Sequence, residues 1–232
     1  MPPPTLGNFS PAAVARCLPF VLFMAMLALR GYLPESVASS LQLDTRWLYA
    51  LQALPTLALL WLWRREYGEL TRQNWPDARE LLLAVGVGVA VFVAWIHLDA
   101  PWMQLSTATA PFVPLDAQGR PDAALIAIRL LGAVLVVPLM EELFWRSFLM
   151  RWIEHPQFER VEPTRVGFKG LVLSTFVFML AHTLWLAAIV AGLAYAWLYR
   201  WRGHLASAVV AHAVTNALLG LWVIQTGRWE FW

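Results

Sequence analysis

What most narrows the folds open to this chain is a succession of long apolar runs, at Ala12 to Leu29, Trp47 to Trp63, Leu81 to Leu98, Ala123 to Trp152, Gly170 to Tyr199 and Leu205 to Thr226. A hydrocarbon layer offers no water to backbone amides, so a crossing segment must be a helix or one strand of a closed barrel. No two-residue alternation supports barrel strands, and runs of this length suit helices. Composition agrees: 59% of residues are hydrophobic, 14% are charged and 14 are tryptophan, too apolar for an ordinary soluble domain. The expected fold is all-α, a polytopic transmembrane helix bundle forming one integral membrane domain over residues 1–232.

The run Gly170 to Tyr199 would be roughly 45 Å long as a single helix, well beyond the hydrocarbon thickness. It is expected to fold back on itself near His182 to Leu186, although no Gly or Pro marks a turn there. That gives seven spans. The loops then sort by charge, because cytoplasmic loops carry an excess of Lys and Arg. Segments 64–80 (Arg64, Arg65, Arg72, Arg79) and 151–169 (Arg151, Arg160, Arg165, Lys169) are expected inside, as are Arg200 and Arg202. Segments 31–46 and 99–122 are poor in Arg and are expected outside. The N-terminus is therefore cytoplasmic and the C-terminus external. The first run is read as a retained signal anchor rather than a cleaved leader. Trp47, Trp61, Trp63, Trp229 and Trp232 suit headgroup-level anchoring.

A net charge of +2 with no one-faced basic cluster argues against nucleic acid as a partner. The lipid bilayer is the expected surroundings. Cys17, the single cysteine, sits inside the first run, which excludes an internal disulfide and makes a thiol nucleophile a poor candidate. Abundant Arg, Ala and Leu with one lysine, Lys169, suggest a GC-rich bacterial origin and hence the bacterial cytoplasmic (inner) membrane.

Glu141 and Glu142 interrupt the fourth run, followed by Arg146. Ionisable groups at such depth face the bundle interior and usually serve function. Glu142 and Arg146 stand at i and i+4, close enough to pair, whereas Glu141 is turned about 100° away. Glu142 is thus the anchored carboxylate and Glu141 the candidate base. Phe178 and His182 repeat the i, i+4 spacing in the fifth run, and His212 and Asn216 do so in the last. Counted from the presumed cytoplasmic helix ends, Glu141 lies roughly 16 Å deep, His182 roughly 18 Å, and His212 and Asn216 roughly 12 and 18 Å. One shared polar cavity, reached from the cytoplasmic side, would account for all of them.

These residues, Glu141, Glu142 and Arg146, then Phe178 and His182, then His212 and Asn216, resemble the three ordered motifs of the CAAX protease and bacteriocin-processing family. The resemblance covers about 123–226, the catalytic core, and leaves 1–98 as accessory N-terminal spans. The chain is also similar to the bacterial CAAX prenyl protease-related proteins that accompany exosortase systems. The resemblance implies a metal-independent glutamate intramembrane endopeptidase acting on a membrane-associated peptide or protein, with or without a lipid modification. Glu141 and His182 would activate water, His212 and Asn216 would form an oxyanion hole, and Glu142, Arg146 and Phe178 would support them. Three other readings stand beside it. Glu141, His182 and His212 could ligate zinc, although no His-Glu-x-x-His helix is present. The cavity could serve a non-catalytic scaffold or immunity factor. The same acid and histidine pairs could also relay protons in a transporter, for which no repeat is detectable.

Overall fold

In the computed structural model, which describes residues 10–32, 40, 44–105, 112–116 and 118–232, the apolar runs form seven long helices. They are α1 (Pro11–Gly31), α2 (Leu48–Leu62), α3 (Ala78–His97), α4 (Ala123–Glu154), α5 (Phe168–Leu180), α6 (Trp185–Arg202) and α7 (Leu205–Thr226). No strand occurs among the described residues, only the isolated bridges Gln104–Leu184 and Leu115–Pro121. α1, α3, α4 and α7 are each long and apolar enough to cross a membrane. Leu54, Trp61, Leu82, Leu135 and Phe176 remain exposed on the outside of the bundle, as expected where the solvent is lipid. The chain is a multi-pass integral membrane protein.

The long fifth run is indeed a hairpin, with its break at residues 181–184. What ends α5 lies far away in sequence. Ala181 and His182 bond back to the carbonyls of Phe178 and Met179, tightening the last turn, while Leu105 N–H donates to Thr183 O and Trp185 Nε1 to Trp102 O. At about 1.5 Å per residue, the 13 residues of α5 span only about 20 Å. It is thus the shorter arm of the hairpin, α6 having 18 residues. By contrast the α6–α7 junction is marked locally, by Gly203 at φ 82°, a left-handed conformation that only glycine adopts freely.

Tertiary contacts sort the connections into two ends. At one, Arg16 Nη2 contacts Glu69 at 2.6 Å, Arg16 Nε bonds Ser147 Oγ, and Ser147 Oγ in turn donates to Glu69. There too Arg151 Nη1 reaches Tyr199 OH, and Glu80 accepts from Ser207 and contacts His204. This is the end of loops 64–80 and 151–169. At the other end Arg228 pairs with Asp99 at 3.0 Å, Arg46 Nη1 donates to Leu115 O, and Phe112 meets Trp232 edge to face. The two loop groups separated by charge are thus also separated in space. Parts of the arginine-poor loops, 33–39, 41–43, 106–111 and 117, lie outside the described residues.

Candidate active site

α4 is built to present side chains inward. Two π turns, Gly132–Val136 and Leu143–Leu149, flank the α-helical piece Val137–Glu142 that carries both glutamates. Wide turns of this kind recur at functional sites because they re-aim side chains and free carbonyls. In the first, Val137 N–H bonds the carbonyl five residues back, at Gly132. Pro138 comes next and has no N–H, so Ala133 O is left without an intrahelical donor in that register. Asn216 Nδ2 of α7 fills the gap at 2.8 Å. One proline thereby sets the position of a motif residue on another helix.

Glu142 is fully buried and doubly engaged. Its Oε2 is 3.2 Å from Arg146 Nε, as the spacing predicted, in an ion-pair contact off the line of a hydrogen bond. Its Oε1 accepts from His212 Nδ1 at 2.9 Å, a link between α4 and α7 that spacing could not reveal. Arg146, only 2% exposed, has its guanidinium carbon 4.6 Å from the Phe178 ring centre and 5.7 Å from that of Tyr195, and Nη2 donates to Gly192 O. Desolvating such a cation is tolerable only with this many partners. Tyr195 stacks on the His212 ring at 4.9 Å and donates to Thr215 Oγ1 at 2.8 Å. Thr215 in turn bonds Gly88 O of α3.

Glu141 stands apart from this network. Its Oε2 is shielded from solvent and has no hydrogen-bond partner among the described residues. It faces a cavity of about 120 Å³ whose walls include Phe178, His182, His212 and Asn216. All three motifs therefore reach one cavity, which has room for about four water molecules at their liquid share of volume. His182 Nδ1 bonds Phe178 O at 2.7 Å. A carbonyl can only accept, so Nδ1 carries the proton and Nε2 keeps a lone pair. Glu141, His182 and His212, weighed as zinc ligands, all line this cavity; among the described residues no three His, Cys, Asp or Glu side chains form a group that could hold a metal ion.

Sequence reasoning missed the remaining walls. Trp95 of α3, Tyr195 of α6 and Thr215 of α7 line the same cavity, and Trp95 meets the His182 ring edge-on at 5.7 Å. Thr215 precedes Asn216 in a motif already singled out, and Tyr195 is a buried hydroxyl in an apolar run; either could have been flagged. Trp95 carries no local signal. Trp95 and His182 are shared walls with a larger cavity of about 440 Å³ lined by Asp99, Gln104, Thr183, Arg228 and Trp232, at the end of the bundle away from the arginine-rich loops.

Comparison with known families bears on the segment that holds this site. Residues 123–218 match the family described as type II CAAX prenyl endopeptidase Rce1-like, which bears out the resemblance drawn from the motifs. The Rce1-like segment opens at the first residue of α4 and closes two residues beyond Asn216, so it contains every motif residue and excludes α1, α2 and α3. No curated protein and no solved structure matches the chain.

Proposed function

We propose that this chain is an intramembrane glutamate endopeptidase that hydrolyses a peptide bond of a membrane-associated polypeptide. One observation carries the reading: two adjacent glutamates have opposite environments. Glu142 is ion-paired to Arg146 and hydrogen-bonded by His212, whereas Glu141 has neither kind of partner and turns a carboxylate oxygen into a cavity large enough for water. A carboxylate that faces such a cavity without a hydrogen-bond partner is suited to take a proton from a water held there. His182 Nε2, with Nδ1 occupied by Phe178 O, accepts the second hydrogen of the same water and orients it.

The attacked carbonyl oxygen would gain negative charge and need donors. Asn216 has one amide hydrogen on Ala133 O and a second free to donate. His212 Nδ1 donates to the Glu142 carboxylate, so Nε2 is a donor only in the doubly protonated ring, whose charge Glu142 balances. Glu142, Arg146 and Phe178 act through these groups as positioning residues. No metal takes part in this scheme.

The test is Glu141→Gln, expressed in place of the parent chain, with the termini of membrane polypeptides compared between the two strains. An uncut precursor confined to Glu141→Gln is expected. Identical termini, with the variant present in the membrane at parental level, would exclude proteolysis and favour a scaffold. Activity of the purified chain is expected to survive chelators; loss reversed by added zinc would restore the metalloprotease reading.

A further inference from the structure

We infer that the catalytic cavity is reached from the non-cytoplasmic face of the membrane, so that its substrate is the extracytoplasmic juxtamembrane segment of a membrane-anchored polypeptide. The identification of a substrate rests on the endopeptidase reading; the side of access does not.

Three observations converge. First, the cavity around Glu141 adjoins a larger chamber at the mouth end. Trp95 and His182 line both, and the chamber's other walls come from the segments that follow α3 (Asp99, Gln104) and α7 (Arg228 to Trp232) and from the α5–α6 turn. His182, in that turn, borders both spaces. Second, the opposite direction is filled. Below Glu141 come Arg146, Trp145, Phe178 and Tyr195, each 2% exposed or less. Beneath those, Arg16, Glu69, Ser147, Arg151 and Tyr199 bond one another across α1, loop 64–70, α4 and α6. A polypeptide approaching from that end would have to part buried ion pairs.

Third, the filled end is the cytoplasmic one by charge. It carries Arg64, Arg65, Arg72 and Arg79 in one loop and Arg160, Arg165 and Lys169 in another, whereas the mouth end has Arg30, Arg46, Arg120, Arg129 and Arg228. Three of those five are matched by acids: Arg46 by Asp44, Arg120 by Asp116, and Arg228 by both Asp99 and Glu230. The mouth is also ringed by Trp102, which is 65% exposed, with Trp185 beside it and Trp232 on the chamber wall. Indole rings at this level mark the headgroup zone. A chain emerging from the outer leaflet meets the chamber at that depth, beside the polar Asp99–Arg228–Glu230 rim. A tail modified and presented in the cytosol does not.

Cys17 is the only cysteine, so a Cys17→Ser background permits site-directed labelling. Gln104→Cys at the mouth, Gln118→Cys as a second position on that end, and Gln157→Cys at the filled end are treated in intact cells with a membrane-impermeant maleimide. Labelling at 104 and 118 in intact cells, with 157 labelled only after permeabilisation, is expected; the reverse pattern overturns the inference. Bulky maleimide at 104 is further expected to stop processing of the precursor that accumulates in Glu141→Gln cells, relative to the same variant unlabelled. Full processing despite complete labelling would also overturn it, in favour of lateral access from the bilayer. If Glu141→Gln cells accumulate no precursor, the protease reading fails while the labelling pattern still decides the side.

Discussion

Glu141 and Glu142 are neighbours in sequence and unlike in their partners, and the contrast is measurable. Glu142 is held between Arg146 and His212 with no solvent contact. Glu142→Gln leaves Arg146 a buried cation without its counter-charge, and breaking such a pair destabilises by about 3–5 kcal/mol. A clear drop in the thermal midpoint of the purified protein in detergent is expected, together with loss of activity. Glu141→Gln removes no partner and is expected to leave that midpoint within a degree or two of the parent while abolishing turnover. Equal destabilisation by both would mean that Glu141 is a structural carboxylate. Spacing alone identified which glutamate pairs with arginine, because i and i+4 on a helix is a local relation. It did not show that His212 shares Glu142, since that bond joins residues 70 positions apart.

At the scale of elements, two features decide where the site residues stand. One is the π turn ahead of Pro138. Pro138→Ala would supply an N–H able to take Ala133 O from Asn216, so a lower kcat with unchanged or raised thermal stability is expected. A variant with parental kcat would show that Asn216 is positioned by other means. The other feature is the close approach of α3 to α7. A Cβ on Gly88 would lie 2.4 Å from Ala211 O and 2.8 Å from Val214 Cβ, both on a rigid helix. Gly88→Ala must push α3 and α7 apart, a change of the kind that costs about 1–3 kcal/mol. Gly86→Ala meets nothing within 4 Å and is expected to be neutral or to stabilise by up to about 1 kcal/mol. Melting curves of the two variants side by side test whether helix contact, rather than helix propensity, sets the difference. Hydropathy located all seven helices because burial in lipid is written residue by residue. It could not reveal that α4 contains two π turns, which depend on what α2 and α7 press against it.

For the molecule as a whole, the arginine-rich end behaves as a clasp joining α1, loop 64–70 and α4 through Arg16, Glu69 and Ser147, and α4 to α6 through Arg151 and Tyr199. Burial alone would raise the Glu69 pKa, but hydrogen bonds and charge from Arg16 outweigh it and hold the carboxyl below its ordinary value. A depressed carboxyl contributes stability that is present above its unfolded pKa, near 4.3, and is lost as pH falls through the folded value. Thermal stability is therefore expected to be level from neutral pH to about 5 and to fall below about 4, with part of the acid-dependent loss missing in Glu69→Gln. An identical acid profile in Glu69→Gln would show that the clasp contributes nothing. Closing one end of the bundle leaves the other as the way in, which is why the side of access is a property of the whole molecule.

The amino-acid sequence by itself determined that this is a membrane bundle of seven helices, that the fifth run turns back on itself, that loops divide into two charge classes, and that Glu142 pairs with Arg146. Each follows from hydropathy, length or helical phase within a few turns of chain, which act wherever the segment finds itself. Tertiary structure alone decided that His212 shares the Glu142 carboxylate, that Trp95, Tyr195 and Thr215 wall the same cavity as Glu141, that Asn216 bonds the Ala133 carbonyl ahead of Pro138, and that Trp95 and His182 border a second, larger chamber. Those facts depend on distances between side chains of different helices. Packing sets such distances through shape, and no periodicity along one helix encodes the shape of its neighbours.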